Sequence, residues 1–297
     1  MKENQKIRAA GIGELLWDLL PEGKKLGGAP ANFAFHAGCM NAESTIISAV
    51  GNDDQGKEIL IRLRELKLDE RYIQCNQQRK TGVVNVSVNG GNPEYEIRNN
   101  VAWDFIHWSP QLAKLAGITD AVCFGSLAQR SEVSRHTILK FLKATRPECL
   151  RVFDINLRQD FFNREIIESS MDLSSVLKLN DEELSIVAQM FSLKGSEGGI
   201  LEKLSRRFRL EMIVLTKGSR GSLLKTGNEE SFLEAPAVDV KDTVGAGDAF
   251  TAAIVIARLH GKSMGEMHKV ASDIAAYVCS SNGATPVLPH ALAKRVN

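Results

Sequence analysis

The stretch KDTVGAGDAF, residues 241–250, places an acid directly after three small residues, Gly245, Ala246 and Gly247. The apolar segment behind it predicts a helix that begins near Gly247. Free N–H groups at a helix start attract anions, and the helix dipole adds partial positive charge. A phosphoryl group in transfer fits such a site, and Asp248 could take the proton of the attacking hydroxyl. The alternative is that Asp248 only caps the helix.

The segments around this loop alternate between short apolar strands and helices. Strands are expected at 7–12, 45–50, 121–124, 151–155, 176–179 and 212–215, and helices at 29–40, 56–66, 131–144, 181–189, 200–208, 247–259 and 264–280. This alternation predicts a mostly parallel sheet with helices on both faces. Because 297 residues, 43% of them hydrophobic, suffice for one large core, we expect a single domain over residues 1–297.

One segment, residues 81–99, departs from the α/β alternation. Its valines alternate with polar residues, a turn-forming sequence follows at 89–93, and a second alternating run leads to Ile97. This pattern predicts a β-hairpin with one apolar and one polar face. We expect a lid around residues 71–100 that covers a cleft, serves as a dimer contact, or does both. An edge hairpin of the main sheet is the alternative.

Charge and composition exclude several classes of protein. With 37 basic and 36 acidic residues there is no field of one sign to gather nucleic acid or anionic lipid. The absence of a signal-peptide pattern and of an apolar run of spanning length predicts a cytoplasmic protein without membrane contact. The cysteines are expected to be reduced, buried thiols. They are Cys39, Cys75, Cys123, Cys149 and Cys279.

Two familiar nucleotide motifs are absent from the chain. The pair Gly11 and Gly13 lacks the third glycine of a dinucleotide fingerprint, and no phosphate loop of the G-x-x-x-x-G-K-[ST] type occurs. The six histidines show no metal-binding spacing. A bound nucleotide would therefore depend on the loop at 242–250.

The motif DTVGAGD resembles the C-terminal signature of the ribokinase-like (PfkB) family of sugar kinases. LGGAPANFAFHAG (26–38), VGNDDQG (50–56), KLNDEE (178–183), LTKGSRGSLL (215–224) and NGATPVLP (282–289) are similar to further motifs of that family, in its order. The resemblance covers nearly the whole chain. It implies an α/β fold, a ribokinase-like three-layer sandwich with a mostly parallel central sheet and a small β-hairpin lid.

The resemblance also implies an activity, the transfer of the γ-phosphoryl group of ATP to a sugar primary hydroxyl. GGAPAN, FGSLAQR (124–130) and DINLRQDFF (154–162) look like the fructokinase branch, which makes fructose the leading acceptor. A 2-keto-3-deoxygluconate kinase and a ribokinase-type enzyme are the alternatives. A sugar or nucleotide sensor without catalysis on the same fold is a further one.

Roles follow by position from the resemblance. Asp248 would be the catalytic base and Gly245, Ala246 and Gly247 the anion hole. The sugar contacts would be Asp18, Gly27, Gly28, Asn32, Arg98 and Arg158. The nucleotide would lie against Asn180, Glu183, Thr216, Gly218, Gly221 and Gly247. Trp103 would either pack on the sugar or fill the base of the lid. Association of two copies through the lid is expected.

The resemblance further implies metal ions. Asn180 and Glu183 would organise magnesium (Mg²⁺) and the phosphates through waters, since Mg²⁺ loses its hydration shell reluctantly. Many relatives also hold a monovalent cation, usually potassium (K⁺). Its ligands here would be Asp242 and backbone carbonyls of Val278, Ser281 and Gly283. Val287 stands where relatives often have a hydroxyl residue.

Overall fold

The computed structural model describes residues 6–20, 23–89 and 92–297, with only the backbone given for 86–89 and 92–95. The strands are β1 (Arg8–Ile12), β2 (Leu16–Leu20), β3 (Gly23–Gly27), β4 (Glu43–Gly51), β5 (Ile73–Asn76), β6 (Gly82–Asn89), β7 (Asn92–Ile97), β8 (Ala121–Phe124), β9 (Leu150–Asp154), β10 (Val176–Asn180), β11 (Met212–Thr216), β12 (Ser222–Lys225) and β13 (Glu230–Leu233).

The helices are α1 (Ala29–Cys39), α2 (Asp54–Glu65), α3 (Pro110–Ala116), α4 (Glu132–Ala144), α5 (Arg164–Asp172), α6 (Asp181–Met190), α7 (Glu197–Phe208), α8 (Ala246–Leu259), α9 (Met264–Cys279) and α10 (His290–Ala293). Short 3₁₀ turns lie at Ala102–Phe105, Leu127–Arg130, Gly218–Arg220 and Lys294–Val296.

The main sheet of the described chain has nine strands in the order β13-β12-β11-β10-β9-β8-β1-β4-β5. From β11 to β5 all neighbours pair in parallel, whereas β12 and β13 pair antiparallel at one edge. Because the seven parallel strands point the same way, their carboxyl ends meet along one edge of the sheet. Ligands bind at that edge in open α/β sheets.

Two apolar layers cover the faces of the sheet and confirm the three-layer prediction. One core joins the sheet to α1, α8 and α9, and α8 is buried along Ala249–Ala257. The other joins the opposite face to α3 through α7, with Phe124 stacked on Phe153 at its centre. A third cluster packs α1 and α2 against the second, smaller sheet.

The smaller sheet has the strand order β3-β2-β6-β7 within the described residues. The predicted hairpin is present as β6 and β7, and β6 pairs in parallel with β2. The alternative, a hairpin at the edge of the main sheet, is therefore wrong. The sequence did not indicate β2 and β3, and β5, inside the expected 71–100 segment, pairs with β4 of the main sheet. Gly90 and Gly91 of the expected turn lie outside the described residues.

Helix boundaries depend on local caps that periodicity alone does not predict. Helix α2 begins at Asp54, two residues before the expected Gly56, because the Asp53 carboxylate accepts the N–H of Gly56. Helix α9 begins as expected, with the Ser263 hydroxyl accepting the N–H of Glu266. Helices α3 and α5 were not expected; both are short, and Ser109 and Asn163 cap them.

The cysteine prediction holds only in part. All five thiols are free, and Cys123 and Cys149 are buried as expected. Cys75 is exposed, and Cys39 and Cys279 are half-buried, so the expectation of five buried thiols is wrong. These three lie near the ends of their elements, where the core does not cover them. None of the described helices has the length and apolarity needed to cross a bilayer.

Trp103 lies at the junction of the smaller sheet with the main body and is fully buried. The guanidinium of Arg130 stacks on its ring at 4.0 Å and pairs with Asp104 at 2.8 Å. A Cβ atom on Gly82 would lie 2.3 Å from the indole Nε1 of Trp103. Of the two expected roles, the structure therefore favours Trp103 filling the base of the lid.

We expect Gly82→Ala to lower the free energy of unfolding by about 1–3 kcal/mol, because the added methyl overpacks the Trp103 site. The matched control is Gly198→Ala on exposed α7, where a Cβ meets nothing within 4 Å. That change should raise stability by about 0.5–1 kcal/mol through helix propensity. Urea unfolding monitored by circular dichroism measures both. Equal effects in the two variants would contradict the packing of Gly82 on Trp103.

Candidate active site

Polar and charged side chains collect where the parallel strands end. Glu14 follows β1, Asp154 ends β9, and Asn180 and Thr216 end β10 and β11, where they are paired neighbours in register. Gly13 donates its N–H to the Ile47 carbonyl, which holds the exit of β1 against β4. The carboxyl edge of the sheet is thus the candidate site.

Asp248 lies in the first turn of α8 and contacts α1. Gly245, with φ of 79°, occupies the N-cap position, and its missing side chain matters because a Cβ would lie 2.5 Å from the Ala284 carbonyl oxygen. The amide Nδ2 of Asn32 donates to the Asp248 carboxylate at 2.8 Å. The structure therefore gives the cap position to Gly245 and turns Asp248 towards Asn32.

The surroundings of Asp248 change its acidity. Burial raises the pKa of its carboxyl group to about 7, and the nearby Asp154 carboxylate adds to the rise. The hydrogen bond from Asn32 and the charges of Lys178 and Arg158 act in the opposite direction. A carboxylate with a pKa near neutrality is suited to accept a proton in a reaction at that pH.

Lys178 and Asp154 form a buried ion pair beneath the start of α8. Their atoms Nζ and Oδ1 are 2.9 Å apart, and the Thr251 hydroxyl donates to the second oxygen of Asp154 at 3.3 Å. Although burial disfavours the charged ammonium, the carboxylates of Asp154 and Glu183 raise the pKa of Lys178 above its usual value. A Cβ on Gly247 would lie 3.3 Å from Nζ. The predicted anion hole is thus backed by a permanent positive charge.

The sequence analysis did not identify Lys178 as a site residue. The available indication was a lysine inside the apolar strand VLKLN. Burial of an unpaired charge at such a position costs desolvation free energy, so a charged partner is expected. Its partner Asp154 likewise ends the apolar strand LRVFD and is the first residue of the DINLR motif.

Most of the residues predicted to contact the sugar lie in β2, β3 and the start of α1. Asp18 is in β2, and burial raises the pKa of its carboxyl group to about 6, against the charges of Arg158 and Lys25. A Cβ on Gly27 would lie 2.3 Å from Asp18 Oδ2, so the glycine leaves room for the carboxylate. Gly28, with φ of 119°, turns the chain into α1 and passes close to the backbone oxygen of Glu14.

Arg158 lies in the loop after β9, and its charge acts on three carboxyl groups of the site. It opposes the rise in the pKa of Glu14, Asp18 and Asp248, which lie on three different segments. The side chain is exposed at the mouth of the site. Of the predicted sugar contacts, Asn32 is hydrogen-bonded to Asp248, and the charge of Arg158 acts on Asp18 and Asp248.

Glu14 is a second site residue that the sequence analysis missed. It is 3% exposed, and its Oε1 accepts the N–H of Ala29 at 3.3 Å. Burial raises the pKa of its carboxyl group to about 7, against hydrogen bonds from its own N–H and that of Ala29 and the charge of Arg158. An acid directly after the buried strand β1 was the available signal.

Asn180 and Glu183 form a capping box at the start of α6. Asn180 Oδ1 accepts the N–H of Glu183, and Glu183 Oε2 accepts the N–H of Asn180, both at 2.8 Å. Glu183 Oε1 also accepts the N–H of Leu157 at 2.9 Å, next to Arg158. Glu183 is 5% exposed and is therefore not a solvated acid on the helix surface. It positions both the α6 start and the Arg158 loop.

The predicted nucleotide residues after β11 divide into two groups. Thr216 lies beside Asn180, and Gly218 begins the 3₁₀ turn with φ of 56° and open space at its Cβ position. Gly221, with φ of 103°, is required by packing, because a Cβ there would lie 2.0 Å from the Leu233 carbonyl oxygen. The Arg220 guanidinium pairs with Asp181 of α6.

Arg98 follows β7 and is exposed. Its carbonyl oxygen accepts from Arg130 at 2.5 Å. Among the described residues, no contact joins the Arg98 side chain to Asp18, Asn32 or Asp248. The structure therefore does not bring this predicted contact into the cluster.

The groups expected around a monovalent cation are partly in use. Partial burial raises the pKa of Asp242, but hydrogen bonds from Val244, Lys25 and Gly283 bring it below its usual value. Lys25 Nζ lies 3.1 Å from Oδ2. The Val278 carbonyl accepts the N–H of Ser281 within the last turn of α9. These contacts do not fit a free set of oxygen ligands, so a cation here stays a prediction.

Comparison with known proteins gives a consistent result. A model described as pfkB family carbohydrate kinase matches residues 22–291. An uncharacterized sugar kinase from Pyrococcus horikoshii is 31% identical over 302 residues, 93% of this chain and 91% of its own. Its crystal structure has a TM-score of 0.82 at 27% identity, covering 98% and 99% of the two chains, and a second was determined with ATP.

Two fructokinases are also similar. The one from Salmonella typhimurium is 29% identical over 257 residues, 82% of each chain. A fructokinase double mutant from Vibrio cholerae, crystallised with fructose, ADP and a potassium ion, has a TM-score of 0.81 at 22% identity and covers 100% of both chains. The second likeness supports the fold.

We expect Lys178→Met to lower the free energy of unfolding by about 3–5 kcal/mol, because it leaves the buried Asp154 carboxylate without its partner. The matched control is Lys269→Met, which removes an exposed pair with Asp273 on α9. That loss should cost no more than about 0.5 kcal/mol. Chemical denaturation at neutral pH measures both. Similar small losses would show that the Lys178 pair is not the buried charge balance described above.

Proposed function

We propose, for a chain that belongs to the pfkB family of carbohydrate kinases, that its acceptor is fructose and its product fructose 6-phosphate, with ATP as donor. As a member of that family it is a phosphotransferase with a sugar hydroxyl as acceptor. The observation that carries the proposal is the Asp248 carboxylate, held by Asn32 at the start of α8 with a pKa of about 7.

In the proposed reaction the primary hydroxyl of the sugar lies against Asp248. Its oxygen forms a bond to the γ-phosphorus of ATP while the bond from that phosphorus to the β–γ bridging oxygen breaks, which releases ADP. The hydroxyl proton goes to the Asp248 carboxylate. The N–H groups in the first turn of α8 and the Lys178 ammonium stabilise the negative charge on the phosphoryl oxygens.

Magnesium that accompanies ATP neutralises phosphate charge when bound. The described residues contain no group of three or more His, Cys, Asp or Glu side chains arranged to hold a metal ion. Glu183 has both carboxylate oxygens engaged by backbone N–H groups, so its predicted action on magnesium through waters stays a prediction. We propose that Asn180 contacts the hydrated ion through water, as Mg²⁺ bound chiefly by phosphates allows. Potassium has no part in the proposed step.

The charges on the acceptor side favour a neutral sugar. The charge of Arg158 acts on three carboxyl groups, Glu14, Asp18 and Asp248, so a charged ligand here would meet these acids as well as the guanidinium. Lys25 is paired with Asp242. Carboxyl groups suit the hydroxyls of a polyol, whereas the carboxylate of a sugar acid would be repelled unless Arg158 turned to it. A 2-keto-3-deoxygluconate kinase is therefore the second candidate.

Closure of the smaller sheet over the sugar, association of two copies through that sheet and a cytoplasmic location stay predictions. Closure would exclude water from the transferring group, as kinases require. The partners of the proposed reaction are the sugar and ATP.

The substrate is tested with purified protein, Mg-ATP and a panel of fructose, glucose, ribose, 2-keto-3-deoxygluconate and fructose 6-phosphate. We expect the highest kcat/KM for fructose, with the product identified by NMR as the 6-phosphate. The reason is that the three carboxyl groups near Arg158 suit a neutral polyol better than a sugar acid. Faster turnover of 2-keto-3-deoxygluconate than of fructose would identify the protein as a kinase of that sugar acid. If no sugar were turned over, the alternative of a sensor without catalysis would be favoured.

We expect Asp248→Asn to fold normally and lose about 10²–10⁴-fold in kcat, because the amide cannot take a proton. In the wild type, kcat/KM should rise with pH up to about 7 and then level, since Asp248 acts as a base only when deprotonated. Asp273→Asn, a surface carboxylate paired with Lys269 and Arg295, is the control and should keep the wild-type profile. A near-normal kcat in Asp248→Asn would show that Asp248 is not the base and that catalysis depends on the anion hole alone.

A further inference from the structure

The carboxyl group of Glu14 is buried with one oxygen unpaired. Oε1 accepts the N–H of Ala29, whereas Oε2 is inaccessible to solvent and has no hydrogen-bond partner among the described residues. Buried polar atoms in folded proteins are nearly always hydrogen-bonded, so an exception calls for a partner that reaches Oε2 when the side chain or its neighbours move.

A purely structural role explains only half of this carboxyl group. Helix α1 has Gly28 at its N-cap and no acid of its own in the first turn. Glu14, from the end of β1, therefore supplies the acceptor and negative charge that a helix start favours. That role involves only Oε1. It explains neither the unpaired Oε2 nor the burial of the whole carboxyl group.

The position of Glu14 points to the acceptor site. Its Oε1 contacts Ala29, and Asn32, three residues further along α1, holds Asp248. The two carboxyl groups thus contact one helix about one turn, or ~5 Å, apart. The charges of Arg158 and Asp248 both act on Glu14. The backbone oxygen of Glu14 lies against the glycine that precedes Ala29, a predicted sugar contact, so a turn of the side chain brings Oε2 to the place where the proposed base meets the sugar.

We propose that Glu14 is a specificity-determining residue whose Oε2 hydrogen-bonds a second hydroxyl group of the acceptor sugar, next to the hydroxyl that Asp248 deprotonates. This rests on the proposed sugar kinase function. A sugar hydroxyl can both donate and accept, so it satisfies Oε2 whether the carboxyl group is ionised or protonated. The pKa of about 7 allows both forms near neutral pH.

The test compares three proteins with the wild type. Glu14→Met keeps similar length and removes all hydrogen bonding. Glu14→Gln keeps an acceptor for Ala29 and places a polar group at the position of Oε2. Ser263→Ala removes the cap of α9, so it measures what the loss of a helix N-terminal acceptor does by itself. KM values for fructose and ATP, kcat and Tm are measured for each.

We expect Glu14→Met to raise the KM for fructose at least about tenfold, because a site built to bond a hydroxyl loses that partner, with the KM for ATP within about twofold. Glu14→Gln should stay within about threefold of wild type for fructose. Ser263→Ala should lower Tm without changing either KM. With 3-deoxy-, 4-deoxy- and 2,5-anhydro analogues of the ketose, the wild type should discriminate against one analogue and Glu14→Met should not.

A wild-type fructose KM in Glu14→Met, or a Tm loss with unchanged KM as in Ser263→Ala, would overturn the inference and leave Glu14 as a cap of α1. If Glu14→Met does not fold, Glu14→Asp decides the matter. It keeps the acid but withdraws it by one methylene, so it should raise the fructose KM while Glu14→Gln does not. If the wild type phosphorylates no sugar of the panel, the proposed function itself fails, which is a distinct result.

Discussion

The arrangement of the site depends on one buried charge pair, Lys178 with Asp154. Neighbouring parallel strands carry the two residues, and the pair lies under the first turn of α8, where Gly247 approaches the ammonium. A buried charge is tolerated only with a close partner, so the pair fixes β9 and β10 beneath that helix start. The same carboxylate raises the pKa of Asp248, whereas the ammonium opposes the rise. The stability of the fold and the pKa of Asp248 thus both depend on this ion pair.

The regular elements were predictable because their signals are local. Alternating valines predicted the β6–β7 hairpin, and apolar strands between amphipathic helices predicted the parallel sheet and its layers. The small sheet was predicted only in part. Its strands β2 and β3, which include Asp18 and Lys25, bury one face on α1 and α2, and β2 pairs with β6 across more than fifty residues. No local pattern encodes such a pairing.

The site was predictable where a motif names a residue and not where burial gives it a role. Among the residues that the family resemblance named, Asn32 holds Asp248, and the charge of Arg158 acts on Asp18 and Asp248. Glu14 and Lys178 were missed because a charged letter in a sequence does not show whether it is buried. Glu183 was expected to organise metal and phosphates, but its oxygens hold the backbone of two segments, a role that depends on tertiary distances.

One continuous segment runs from β2 through β3 and the glycines 27–28 into α1. It includes Asp18 within the small sheet and, further along the chain, Asn32, which donates to Asp248. Any displacement of the small sheet is therefore transmitted along covalent bonds to the amide that orients Asp248. If the small sheet closes on an acceptor as predicted, the same movement would also orient the Asp248 carboxylate, whereas a lone water molecule would not draw the sheet inward. Discrimination against hydrolysis would then reside in the chain connection itself.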